Sequence, residues 1–237
     1  MIDVLFLDGT WAPDGGTPVA EAFRASLDPR VFRFRYVSYP AQFGPATGLE
    51  DMPYLPSTTL GRDHLAVAVA QSPNPCIVGG YSQGAAGAMR YARETLPYNP
   101  HREVLGLATL GDPHTHVHDG RSGIAGALQV PIPRYTVWAP GDPIGDLPQG
   151  NPLRSVADFT KWMGVRDLHD LSQWGQQLVN DVAARRVQEW WNPLLWRGWA
   201  GAAAYARGYA VDGRHTDAYV REGYSRKLAY QLNTAFR

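Results

Sequence analysis

The stretch Cys76–Gly87, CIVGGYSQGAAG, places a serine between two glycines, directly after a short apolar run. A buried strand that turns sharply into a helix of small residues is the setting of a nucleophile elbow, which exposes a reactive serine. Gly80 and Gly84 leave room for the helix to approach the strand. The same spacing also occurs in ordinary tight turns. In this context it predicts Ser82 as a nucleophile and the backbone N–H of Gln83 as an oxyanion donor.

A serine nucleophile needs a base, and the base needs a carboxylate that orients it. Asp142 follows a predicted strand in YTVWAPGDPIGD, and Asp146 competes with it four residues later. His215 lies in a glycine-containing loop, VDGRHTDAYV. Each residue alone fits a blander role, as a turn aspartate or a surface histidine. The chain order Ser82, Asp142, His215 is that of the hydrolases with a nucleophile elbow, and it favours a catalytic triad.

A second oxyanion donor should come from the loop after an early strand. LFLDGTWAPDGG is such a loop, and Gly9 permits a close backbone approach. We therefore predict the N–H of Thr10 as the second donor, helped by its hydroxyl, although a simple turn fits the same residues.

Three histidines, His114, His116 and His118, alternate in the segment GDPHTHVHDG. On an extended strand they would share one face, as zinc ligands do. No cysteine or second histidine cluster completes a zinc site, and Gly-Asp-Pro indicates a loop. We expect these histidines to line the rim of the active site, and we predict no metal and no organic cofactor.

Strands alternate with helices along the first 150 residues, which predicts a parallel α/β sheet. The expected strands are Ile2 to Leu7, Val31 to Ser38, Cys76 to Tyr81, Glu103 to Leu110 and Arg134 to Ala139. The expected helices are Thr58 to Ala70, Gly84 to Leu96 and a final helix from about Tyr219. Residues 1–150 and 210–237 are therefore predicted to form one catalytic core.

Residues 151–209 differ from this core, because they contain no convincing strand and their apolar residues recur at helical spacing. We predict a helical insertion between the triad acid and the histidine. It holds six of the eight tryptophans, namely Trp162, Trp174, Trp190, Trp191, Trp196 and Trp199. Any single tryptophan is most simply a core residue. The last four flank the break at Asn192-Pro193 and are our candidates for contacts with an apolar substrate.

Charge and cysteine content exclude several classes of protein. The 22 basic and 22 acidic side chains balance, so charge implies neither nucleic acid nor an anionic membrane surface as a partner. The single cysteine, Cys76, permits no intramolecular disulfide and is expected to be buried and inert. The first residues lack the pattern of a signal peptide, and no apolar stretch approaches the ~20 residues of a membrane span.

Several of these motifs resemble those of the cutinase-like serine esterases: GGYSQGA, the upstream YPA at Tyr39, LGDP at Leu110 and GDPIG at Gly141. Gly145 stands where cutinases proper carry a cysteine, so a disulfide-bonded cutinase is not expected. The tryptophan-rich insertion is similar to that of the Lysin B proteins of mycobacteriophages. The resemblance implies an α/β-hydrolase fold, the triad Ser82, Asp142 and His215, and an oxyanion hole from Thr10 and Gln83.

The same resemblance implies an esterase that separates mycolic acids from arabinogalactan during phage-induced lysis. Its partner would be mycolyl-arabinogalactan-peptidoglycan or another lipid ester, with no obligate protein partner. We then expect synthesis in the cytoplasm of the infected host and action at the mycobacterial envelope after release. Two alternatives stay open: a host-type cutinase-like or PE-PPE-type esterase or acyltransferase, and a non-catalytic binding module.

Overall fold

A five-stranded parallel sheet forms the centre of the computed structural model, which describes residues 1–44, 47–48, 50–99, 103–151, 153–154 and 213–237. The strands are β1 (Ile2–Leu7), β2 (Phe32–Tyr36), β3 (Cys76–Tyr81), β4 (Val104–Leu110) and β6 (Arg134–Val137). Their order is β2-β1-β3-β4-β6, so the winding reverses between β1 and β3. In open parallel sheets, ligands bind beyond the carboxyl ends of the strands at such a reversal.

Helices precede and follow the strands along the described chain. They are α1 (Pro18–Arg24), α2 (Tyr54–Gln71), α3 (Gln83–Arg90), α4 (Asp217–Arg221) and α5 (Tyr224–Ala235). Two short strands, β5 (Arg121–Ser122) and β7 (Leu147–Pro148), form a separate antiparallel pair. This pair and α1 were not predicted from the sequence.

Both faces of the sheet are packed, as the alternating side chains of β1 show. Val4 and Phe6 join one apolar cluster with residues of α1 and α5, while Leu5 and Leu7 join another with residues of α2 and α3. Successive side chains of a strand point to opposite faces, so the apolar run from Val4 to Leu7 requires cover on both sides. The predicted α/β-hydrolase class, a parallel sheet flanked by helices, is confirmed.

Two helix boundaries differ from the prediction. Helix α2 begins at Tyr54, four residues before the predicted start at Thr58. Pro56 is tolerated in it because it lies in the first turn, where no intrahelical N–H bond is lost. Helix α3 ends at Arg90 and continues as a π-helical turn, Tyr91–Thr95, and a 3-10 turn, Leu96–Tyr98. Pro97 has no N–H and disfavours a helical conformation before it, so the α-helix does not extend through this turn.

The predicted insertion at residues 151–209 lies almost entirely outside the described residues, as do Trp190, Trp191, Trp196 and Trp199.

Cys76 is buried, as expected. In the part of the chain that the structure describes, no helix combines the length and apolarity that a membrane crossing requires.

Candidate active site

The turn between β3 and α3 holds Ser82 in a backbone conformation that is rare for a residue with a side chain. Its φ is 55° and its ψ is −118°. A Cβ on Gly80 would come within 2.2 Å of the Gly84 carbonyl carbon, and one on Gly84 within 2.1 Å of the Leu7 carbonyl oxygen. Only glycine fits both positions, because these contacts are with backbone that cannot move aside. The close packing of β1, β3 and α3 therefore produces the strained turn.

Three side chains from distant parts of the sequence form one hydrogen-bonded chain. The Ser82 Oγ lies 2.7 Å from His215 Nε2, and His215 Nδ1 lies 2.9 and 3.0 Å from the two carboxylate oxygens of Asp142. Because a carboxylate only accepts, this pairing assigns the ring proton to Nδ1 and leaves Nε2 to accept from the Ser82 hydroxyl. Asp142 is fully buried and His215 is 3% exposed, so water barely reaches these two residues, whereas Ser82 is partly exposed.

The structure separates the two competing aspartates. Asp142 bonds the His215 ring, whereas Asp146 pairs with Arg121 at 2.7 Å and with His118 Nε2 at 2.9 Å, and it accepts from the Gly141 N–H. Burial acts to raise the pKa of Asp146, but these bonds, chiefly that with Arg121, outweigh it and lower the pKa. Asp146 thus braces the base of the loop that carries Asp142.

Tyr219 contacts the carboxylate of Asp142, and sequence reasoning missed it. Its hydroxyl donates to Asp142 Oδ2 at 2.5 Å and accepts from the Ala139 N–H at 3.2 Å. Burial, together with the neighbouring carboxylate, raises the pKa of Tyr219 well above its usual value, so the phenol stays a donor. Tyr219 follows His215 by only four residues, and this closeness in sequence was the one available signal.

Tyr81 was missed as well, and it holds the other side of the histidine. Its ring stacks on the His215 ring with centroids 5.2 Å apart, and its hydroxyl donates to the His215 carbonyl oxygen at 2.5 Å. Tyr81 is the residue before Ser82, so one strand end supplies both the serine and the support of the histidine backbone.

The two predicted oxyanion donors are linked through their side chains. The Thr10 hydroxyl donates to Gln83 Oε1 at 2.9 Å, and Gln83 Nε2 donates to the Gln42 carbonyl oxygen at 2.7 Å. In this arrangement the Thr10 hydroxyl proton is engaged by Gln83, so the help of that hydroxyl to an oxyanion stays a prediction. The N–H of Gln83 begins α3, where the helix offers it no acceptor.

An open cleft, called here the Ser82 cleft, lies beside these groups. Its lining combines polar and apolar side chains: Thr10, Trp11, Thr17, Pro18, Val19, Tyr81, Ser82, His215, Thr216, Asp217 and Val220. Trp11 is 63% exposed and did not figure among the predicted substrate contacts. The signal that would have found it is its place directly after Thr10.

The three alternating histidines do not meet the expectation of an active-site rim, since none of them is among the described residues that line the Ser82 cleft. The His114 ring bonds the Gly126 carbonyl at 3.0 Å, and burial lowers the pKa of His114, which keeps the ring neutral. The His118 ring stacks on Trp138 at 4.2 Å. Within the described ranges, no group of three His, Cys, Asp or Glu side chains is placed to hold a metal ion.

A strained serine after β3, a base bound to it and a buried carboxylate behind that base can together deprotonate a hydroxyl for attack on a carbonyl group. The fold that presents them is that of the α/β-hydrolases. In fold the chain is similar to a solved structure, lysin B from Mycobacteriophage D29, with 18% identity, coverage of 95% of this chain and 98% of that chain, and a TM-score of 0.58. The expected similarity to Lysin B is thus confirmed at the level of the fold.

Two further similar structures are esterases. An acetylxylan esterase is 18% identical over 75% of this chain and 95% of that chain, with a TM-score of 0.46. The catalytic core domain of acetyl xylan esterase from Trichoderma reesei is 18% identical over 65% and 89%, with a TM-score of 0.45. The family model of the PE-PPE domain matches residues 32–143, a little under half of the chain. No curated protein matches the chain in sequence.

Proposed function

We propose that this protein is a serine esterase that hydrolyses lipid esters, with Ser82 as nucleophile, His215 as general base and Asp142 as the orienting acid. The observation that carries the proposal is the continuous hydrogen-bonded chain of 2.7 and 2.9 Å from the Ser82 hydroxyl to a fully buried carboxylate. Burying a carboxylate is costly unless its hydrogen bonds are satisfied, and the Ile144 N–H, His215 and Tyr219 satisfy those of Asp142.

The reaction proceeds in two steps of acyl transfer. His215 Nε2 takes the Ser82 proton as the oxygen attacks the ester carbonyl, while Asp142 stabilises the imidazolium that forms. The N–H groups of Thr10 and Gln83 bind the oxyanion, each worth about 3 kcal/mol in the transition state. His215 then protonates the departing alkoxide, and water activated by the same ring hydrolyses the acyl-enzyme.

As the specific substrate we propose the ester between mycolic acid and arabinogalactan, cleaved at the envelope during phage lysis. The likeness in fold to a mycobacteriophage lysin B over 95% of the chain supports this choice. The test incubates the protein with isolated mycolyl-arabinogalactan-peptidoglycan and measures free mycolic acids. Ser82→Ala is the matched control, since it removes only the attacking oxygen. Release that is equal with the variant, or absent while p-nitrophenyl butyrate is cleaved, contradicts the substrate.

A second candidate is a PE-PPE-type esterase or acyltransferase that acts on smaller lipids, and the PE-PPE match over residues 32–143 favours it. An acyl donor ester is incubated with and without a sugar alcohol acceptor. An acylated acceptor that forms only with intact Ser82 supports transfer, whereas free acid alone supports hydrolysis. A protein without either activity would be a binding module.

A further inference from the structure

The Ser82 cleft has one wall that the triad chemistry does not require. Trp11 follows Thr10 directly and contributes an indole that is 63% exposed. Single exposed aromatic side chains are common on protein surfaces and mean little by themselves. This one lines the same cleft as the Ser82 hydroxyl and His215, so any ester placed for attack lies within reach of it.

The backbone at Trp11 is held in an unfavourable conformation that turns the chain at this point. Its φ is 67°, in the left-handed region that residues with bulky side chains rarely adopt. Two backbone bonds maintain it: the Trp11 N–H donates to the Ala41 carbonyl at 3.0 Å, and the Ala12 N–H to the Gly9 carbonyl at 3.1 Å. Strain of this kind persists where the surrounding structure imposes it, often at ligand sites. Here it accompanies an indole that stays outside the core.

Apolar side chains from two helices complete this part of the cleft. Pro18 and Val19 belong to α1, and Val220 belongs to α4. The whole Ser82 cleft, including the part beside the Ser82 hydroxyl, has a volume of about 180 Å³. An apolar cavity of roughly 150 Å³ holds one benzene molecule, so with the ester group beside Ser82 the cleft has room for only the first few carbons of a chain.

We propose that Trp11, Pro18, Val19 and Val220 bind the first carbons of the ester's acyl chain, and that Trp11 is a specificity-determining residue. The inference rests on the proposed esterase function and deepens it. Aliphatic chain is the occupant that these four side chains suit, because three of them are wholly apolar and the indole adds a large apolar face. A hydroxyl-rich sugar placed against these four side chains would leave its hydroxyls unpaired; the polar residues of the cleft, Thr17, Thr216 and Asp217, lie outside this set.

The test compares kcat/KM across p-nitrophenyl esters from acetate to octanoate, so that only the acyl chain varies. For Trp11→Ala, we expect the octanoate-to-acetate ratio to fall about tenfold, the order of effect that one hydrophobic contact has on discrimination. Trp11→Phe, which keeps an aromatic ring, should retain most of the ratio. Tyr230→Ala is the matched control, because Tyr230 is 67% exposed on α5 and does not line the cleft, and it should leave the ratio unchanged.

A second series holds the acyl group at butyrate and varies the alcohol. If Trp11→Ala alters the ratios in this series and not in the acyl series, the cleft binds the alcohol part and the inference is wrong. Equal loss on all acyl lengths in a variant with unchanged thermal stability overturns it as well, while leaving the esterase function intact. A wild-type protein that cleaves none of these esters overturns both.

Discussion

Replacing Tyr219 by phenylalanine tests whether the Tyr219 hydroxyl holds Asp142 in place, because the substitution removes one oxygen and keeps the ring. That hydroxyl donates to Asp142 at 2.5 Å and accepts from the Ala139 N–H. Asp142 keeps the Ile144 N–H bond of 2.8 Å to its other oxygen, so the carboxylate is loosened and not released. Tyr219→Phe should therefore impair the orientation of His215 without abolishing it.

The magnitude follows from the kind of bond that is lost. A hydrogen bond to a charged group is worth about 1.5–3 kcal/mol, and one power of ten in rate corresponds to about 1.4 kcal/mol. Since the second donor of Asp142 remains, we expect the lower end of that range, a decrease in kcat of about tenfold with little change in KM. The Ala139 N–H also loses its acceptor, which should lower Tm by about 5 °C.

The assay is steady-state hydrolysis of p-nitrophenyl butyrate, with thermal unfolding followed by circular dichroism. Tyr36→Phe is the matched control, because the Tyr36 hydroxyl donates to the Glu21 carboxylate at 2.7 Å, away from the triad. It should leave kcat unchanged. If Tyr219→Phe also leaves kcat unchanged in a folded protein, or if both variants lower kcat equally, Tyr219 does not position Asp142.

Three further changes test the site and its support. Asp142→Asn should lower kcat about ten-thousandfold and Asp146→Asn far less, measured on the same ester; the reverse result would make Asp146 the acid. Gly84→Ala places a methyl group 2.1 Å from a β1 carbonyl oxygen, so we expect a large fall in Tm or no folded protein, and an unchanged melting curve would contradict the packing. Burial acts to raise the pKa of Asp146, but its bonds, chiefly with Arg121, lower the pKa overall. The ionised carboxylate therefore stabilises the fold above pH ~3.9, and this stability is lost as the pH falls through the lower pKa of the folded state. Arg121→Met should therefore shift acid unfolding, followed by circular dichroism, to higher pH, and an unshifted midpoint would contradict this account.

Local pattern was enough to predict the strands of the parallel sheet and the turn around Ser82. A strand buried on both faces is almost entirely apolar, as β3 is and as β1 is apart from Asp3, which pairs with Arg33. The sharp turn at Ser82 packs against a neighbouring strand and requires glycine at positions 80 and 84, because a Cβ at either position would lie within 2.2 Å of a backbone atom. These requirements act over a few residues, so the strands and the turn can be recognised in a single sequence.

The same local patterns did not predict helix α1, the start of α2 or the contacts of the three histidines. The seven residues of α1 are too few for a clear periodic pattern. The histidine segment alternates like a strand, but its rings take partners that lie beyond it in the chain: Gly126 for His114, and Trp138 and Asp146 for His118. Periodicity carries no information about such partners.

By itself, the sequence determined the class of fold, the serine at the end of β3 and the chain order of serine, acid and base. Only the tertiary structure decided that Asp142, and not Asp146, meets His215, that Tyr219 holds this carboxylate, and that Trp11 lines the cleft. The physical reason is the separation along the chain between the residues that meet. The hydrogen bond between Ser82 and His215 spans 133 positions and that between Asp142 and His215 spans 73, so these contacts exist only after the strands have paired and brought their carboxyl ends to one edge of the sheet.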